Sequence, residues 1–428
     1  MKRMPVRLLQ GALAGAAALS TVLSSAAAAS AAPPAAPSPP PLPTAPAKGV
    51  QQHWRQQPPP DESRSCATIK QRATTAGRTM RAGSLMSCAD FVTMATKSAI
   101  GLDPDLGDDP LPSGCGVIGS KIVERGVDCQ RGVIFYELWT TPKPPEVPKL
   151  VGTATIVVDS VDKLGWKAPN FNRTVKIQMV EATGRALAGI KVGADVDCFG
   201  SGCTLDYVSG GAVTDLALKV PLHGYAQFHS SPPASSKPAD ALSHYMQTTI
   251  NLRHVNESDP NPYKASHESE WVRCDKRPPT ENPNSPNDAG GCVFPDLVPT
   301  YTLSKSTGSA TQTAAHIERA QEATLNHWGR YTGATTDKAL TRLVNEAQAT
   351  KNRNAACAAA PDPRPTGKDC DEYPFAATYQ GAALEGRGDF HWELIDSSDN
   401  RAEGAYRKQW YLENRVIDED PFWVKIVP

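Results

Sequence analysis

Val175-Lys176-Ile177-Gln178-Met179 alternates apolar with polar residues, and this period of two decides the fold class of the larger part of the chain. Successive side chains of a strand point to opposite faces, so one face of the segment is apolar and the other polar. Ile190, Val192, Ala194 and Val196 repeat the pattern, as do Leu216, Leu218 and Val220, and then Met246, Thr248, Ile250 and Leu252. Clusters of Gly, Asn, Asp and Pro separate these segments. Residues 64–305 therefore read as a β-rich domain of half-buried antiparallel strands, sandwich-like or barrel-like. The run 277–290 reads as a long loop closed by Cys274 and Cys292.

Working outward, the period changes near residue 311. Ile317, Ala320, Thr324 and Trp328 share one helical face, and Leu340, Leu343, Val344 and Ala347 at i, i+3, i+4, i+7 predict a second helix. Phe422, Val424 and Ile426 alternate again and predict a terminal strand. Residues 311–428 thus form a separate small α+β domain in this reading, and the whole chain is α+β.

In the other direction lie two segments without a core. Lys2, Arg3 and Arg7 precede a mostly apolar stretch from Leu8 to Leu23, followed by Ala29-Ser30-Ala31, the pattern of a signal peptide over 1–31. Residues 32–63 are a Pro/Ala-rich linker, extended and semi-rigid. Export sets the reading of the ten cysteines, Cys66, Cys88, Cys115, Cys129, Cys198, Cys203, Cys274, Cys292, Cys357 and Cys370. None forms a C-x-x-C pair, so disulfides are expected rather than a zinc site. Pairing of neighbours gives 66–88, 115–129, 198–203, 274–292 and 357–370.

The chain carries 44 Lys+Arg against 45 Asp+Glu, a formal charge of −1 that excludes a generally basic polyanion binder. Residues 311–428 are net negative. Phosphate chemistry there needs local basic residues, such as Arg401, Arg407, Lys408 and Arg415, or a divalent cation.

Polar residues concentrate between Lys368 and Asp420. Asp371-Glu372 sits beside Cys370, where a disulfide would hold two carboxylates rigidly enough for a general base or a metal ligand. The bland alternative is a solvated acidic turn. Asn400 and Glu403 have capping-box spacing, which predicts a helix starting there. The same first turn could receive a phosphate, with Arg401 adding a bidentate contact, or ligate a hard cation. His391, between the two blocks, is a possible general base or a packed strand residue. His223, His229, His244 and His254 are scattered and suggest no constellation.

These blocks resemble the NucA/NucB deoxyribonuclease family of secreted, metal-dependent bacterial enzymes. The resemblance rests on Asn352-Arg353-Asn354-Ala355-Ala356-Cys357, Cys370-Asp371-Glu372-Tyr373-Pro374-Phe375-Ala376, Asp399-Asn400-Arg401 with Gly404, and Arg415-Val416 through Asp420-Pro421-Phe422-Trp423-Val424. It implies that Asp371 activates water, that Glu372 supports it or faces the metal, and that Asn400 and Arg401 lie beside metal and phosphate. The G-A-G that follows Asn-Arg in the family is Ala402-Glu403-Gly404 here. Glu403, with Glu413 as the alternative, would complete the metal site beside Asn400. The implied cofactor is Mg²⁺ or Mn²⁺, the partner a DNA substrate, and no stable membrane association is expected once the signal is removed. Two other readings fit the residues: a non-enzymatic extracellular binding protein with a degenerate nuclease-like tail, and a secreted nuclease toxin.

Overall fold

A computed structural model describes residues 65–68, 85–92, 115, 119–140, 147–233, 240–257, 262–276 and 290–428. The expected signal peptide, the linker and nearly all of the 277–290 loop lie outside them. The described residues belong to one compact unit. No helix among them is long and apolar enough to cross a membrane.

The chain is β-rich. One antiparallel sheet contains β1 (Leu85–Val92), β2 (Gly119–Glu124), β3 (Val127–Thr140), β4 (Lys149–Leu164), β5 (Asn170–Gly184), β7 (Cys203–Ser209) and β9 (Leu222–Ser230), in the order β1-β3-β4-β5-β9-β7 with β2 beside β3. A second contains β6 (Ile190–Phe199), β8 (Thr214–Asp215), β10 (Leu242–His254), β11 (Tyr263–Glu268), β12 (Val272–Asp275) and β13 (Gly291–Val293), ordered β13-β12-β10-β6-β8 with β11 on β10. Ile156, Ile177 and Met179 of the first sheet join Ile190, Val192, Ile250 and Leu252 of the second in one core. Alternation along each strand places these side chains inward.

The 216–220 segment departs from expectation. Only Thr214 and Asp215 form a strand there. Lys219 has φ 60° and its N–H donates to Met179 O at 2.8 Å, so the chain turns and leaves Leu218 and Val220 exposed. Alternation over three apolar residues is too short to overrule that turn.

A buried arginine explains the polar residues inside this core. Arg173 donates to both Asp162 oxygens at 2.8 Å, to Gln130 Oε1, to Thr248 Oγ1 and to Met246 O. All its N–H groups are used, which is the condition for a tolerable buried charge. The four scattered histidines stay scattered. His244 is bonded to Ser230 and pushed down to about 4 by burial, His254 reaches Ala188 O, and exposed His229 pairs with Asp206.

The C-terminal elements are β14 (Thr300–Ser304), α1 (Thr311–Ala323), β15 (Leu340–Thr341), α2 (Glu346–Ala356), β16 (Lys368–Tyr373), α3 (Ala382–Glu385), β17 (His391–Asp396), α4 (Ser397–Glu413) and β18 (Pro421–Val427). β18 is the expected terminal strand and lies between parallel β14 and antiparallel β15. Tyr301, Leu303, Ile317, Tyr373, Phe375, Phe422 and Val424 build a second core. It therefore begins at β14, ahead of the change of period at 311.

The second helix starts later than its apolar spacing suggests. Leu340 pairs with Phe422 in the sheet, and Asn345 caps α2 by accepting from Gln348 N at 3.0 Å. Likewise α4 starts at Ser397, not at Asn400, so Asn400 and Glu403 do not form a capping box. Asp396 occupies the N-cap position, and its carboxylate is taken by Lys368 and Gln312.

Five disulfides join neighbouring cysteines: 66–88, 115–129, 198–203, 274–292 and 357–370. Such density fits an oxidising extracellular setting. Between the two cores lies a buried ionic cluster. Asp420 accepts from Arg125 at 2.7 Å and from Arg273 at 2.6 and 2.9 Å, while Arg415 pairs with Asp275.

Candidate active site

The β16–β17 hairpin sets Asp371 opposite Glu393 and Tyr373 opposite His391. Register partners point to the same face, so Asp371, Glu393 and His391 project together toward α1. The Cys357–Cys370 disulfide fastens β16 to the end of α2 at the residue before Asp371. Buried Asn352 of α2 adds to the anchorage, donating to Ala376 O and Thr378 O and accepting from Ala383 N and Leu384 N. Gly381 is required there, because a Cβ would collide with the Asn352 side chain.

Facing the hairpin, α1 presents His316 and Arg319. His316 Nδ1 lies 2.6 Å from Asp371 Oδ2, and His316 Nε2 lies 3.1 Å from His391 Nδ1. A carboxylate only accepts, so His316 donates from Nδ1 to Asp371, and its Nε2 makes the second hydrogen bond with His391 Nδ1. The result is a buried chain Asp371–His316–His391 leading outward to half-exposed His391. Burial and the neighbouring His316 hold His391 below the ordinary histidine range. Arg319 clasps Glu393 at 2.8 and 2.5 Å and holds its carboxyl below the usual range.

Helix α4 closes the third side. Asp399 caps α1, accepting from Gln312 N at 3.0 Å and from Thr313 N and Oγ1 at 2.8 Å each. It thereby sets the position of the helix that carries His316. Asn400, half-buried on the first turn, shares a helical face with Glu403 three residues on. The Glu403 carboxyl is raised by burial, with Arg407 opposing and the charge of Asp371 adding to the rise. Arg407 donates to both Glu403 oxygens, at 2.8 and 3.2 Å. Arg401 points outward and meets Asp369 at 3.3 Å. Glu413 sits at the other end of α4, about 20 Å from Asn400 at 1.5 Å per residue.

Asp371 and Glu403 are buried close enough for their charges to act on each other, while Glu372, the next residue on β16, points to the opposite face of the strand. Glu372 faces Arg353 at 3.8 Å. Burial and then the charge of Asp371 push its carboxyl up to about 7, against Arg353 and Arg407. A carboxyl raised on folding contributes stability below its ordinary range, and that contribution is lost as pH rises through about 7. Glu372→Gln keeps the shape without the charge. It should flatten the pH dependence of the melting temperature between pH 5 and 8 and melt above the wild type at pH 8. Parallel melting profiles would contradict this.

The sequence reading missed His316, Arg319, Glu393 and Asp399. For His316 a signal existed: it lies on the stripe of Thr313, Ile317 and Ala320 that α1 buries, and a titratable residue on an apolar face needs a partner.

The donors fit a divalent cation. His316, His391 and Glu393 bring two ring nitrogens and a carboxylate oxygen within 4.8 Å of one another. Mixed nitrogen and oxygen donors suit Mn²⁺ and its neighbours better than Mg²⁺. Residues 321–425 match the family described as deoxyribonuclease NucA/NucB. Comparison with curated proteins finds no match.

Proposed function

Because its C-terminal region is of the deoxyribonuclease NucA/NucB family, we propose that this chain is a secreted endonuclease that hydrolyses the phosphodiester bonds of extracellular DNA with a divalent metal. The observation that carries the mechanism is the 2.6 Å hydrogen bond from His316 to buried Asp371. One Asp371 oxygen is held by the imidazole. The other makes no hydrogen bond among the described residues and is positioned to take a proton from water. The His316 hydrogen bond behind it holds the carboxylate in that orientation. Asn400, His391 and Glu393 would hold Mn²⁺ or Mg²⁺, which when bound offsets negative charge on the phosphate. Arg401, largely exposed at the rim, is placed to meet a DNA phosphate. Export fits the five disulfides.

Titration with metal tests the reading. Cleavage of a duplex oligonucleotide should be abolished by EDTA, be restored by Mn²⁺ at lower concentration than by Mg²⁺, and fall about 100-fold in Asn400→Ala. Undiminished cleavage in excess chelator would sink the metal-dependent reading.

A further inference from the structure

A groove of about 710 Å³ opens where the two cores meet, at the end of α4 remote from Asn400. Leu164, Trp166 and Leu297 give it apolar surface, and Glu124, Lys163, Glu413 and Asn414 give it polar groups. Its volume lies within the ~300–1,000 Å³ range of small-molecule sites, which favour junctions of this kind. None of these residues takes part in the catalytic arrangement.

We propose that this groove binds a neutral oligosaccharide. Its charges decide the ligand class. Glu124 and Glu413 stand against Lys163, while the Arg125 guanidinium beneath is committed to Asp420 and to Leu297 O at 2.7 Å each. The carbonyl end of α4 adds partial negative charge at Asn414. A phosphate-bearing strand is repelled by Glu124 and Glu413, and the Lys163 ammonium opposes a cation. An uncharged polyhydroxyl ligand suits it, because carboxylates accept from hydroxyls while Lys163 and Asn414 donate to them. Half-exposed Trp166, with Lys167 Nζ 4.4 Å from its ring centroid, supplies the aromatic surface on which the C–H face of a sugar packs. Arg125 Nε, buried in the groove wall, has no hydrogen-bond partner among the described residues.

The test is calorimetric titration of the full oxidised protein with neutral tetrasaccharides of glucose, mannose and N-acetylglucosamine, and with a thymidine tetranucleotide. At least one tetrasaccharide should bind with Kd below about 1 mM, and Trp166→Ala should weaken it about tenfold. Lys163→Ala, on an exposed strand end, should weaken it about threefold and guards against a folding defect in the tryptophan variant. The proposal is overturned if no tetrasaccharide binds, if both variants bind as well as wild type, or if only the tetranucleotide binds and Trp166→Ala abolishes it. DNA cleavage is not the readout, so the result stands apart from the nuclease reading.

Discussion

Asp371→Asn is expected to lower the rate of DNA cleavage by about 10²–10⁴, the range for loss of a general base, while leaving the fold intact. The substitution is nearly isosteric, and its amide oxygen can still accept from His316 Nδ1, so the hydrogen bond that ties β16 to α1 survives. The ability to take a proton does not. Initial rates on a fluorescent duplex oligonucleotide with saturating Mn²⁺, alongside a thermal melt, separate the two effects. A matching melt with a rate lowered by that factor assigns the proton transfer to Asp371. An unchanged rate would move the base elsewhere, and His391 would be the next residue to replace.

Asp420→Ala should have the largest effect on stability, about 3–5 kcal/mol, the usual cost of removing one partner from a buried ion pair. Arg125 and Arg273 converge on this carboxylate, and Ile417 N donates to it at 3.2 Å. Arg273 also donates to Arg415 O at 2.9 Å, so the turn between α4 and β18 hangs on the same cluster. Without Asp420, the buried Arg125 and Arg273 guanidinium groups lose the carboxylate they share, and Asp275 is left between Arg273 and Arg415. Urea unfolding of the oxidised full chain measures this. A loss below about 1 kcal/mol would mean that water reaches the cluster and screens it.

How far the sequence was legible follows from the range of the forces involved. Strands with sustained alternation, such as β5, β6 and β10, could be read because burial of one face imposes the period locally. The helix α1 and the strand β18 were legible for the same reason. The start of α2 was not, because Leu340 belongs to a strand pair with Phe422, 82 positions away. Disulfides between neighbouring cysteines were legible from order along the chain, since each closes a loop of modest length. At the site, the family resemblance pointed to Asp371, Glu372, Asn400 and Arg401, residues contiguous with its motifs. His316 and Asp399 were hidden because their roles arise from contacts 55 and 86 residues apart. Glu403 shows where local spacing misled on the capping box, since the helix starts at Ser397. Its carboxylate is buried and paired with Arg407 instead of bonding back to the helix start.

The most direct test of the account is cleavage of supercoiled plasmid by the oxidised wild-type protein in Mn²⁺, run beside Asp371→Asn. The account predicts nicked and then linear DNA from the wild type and intact plasmid from the variant over the same interval. A folded wild type that leaves the plasmid intact, or a variant that cuts it equally fast, would contradict it.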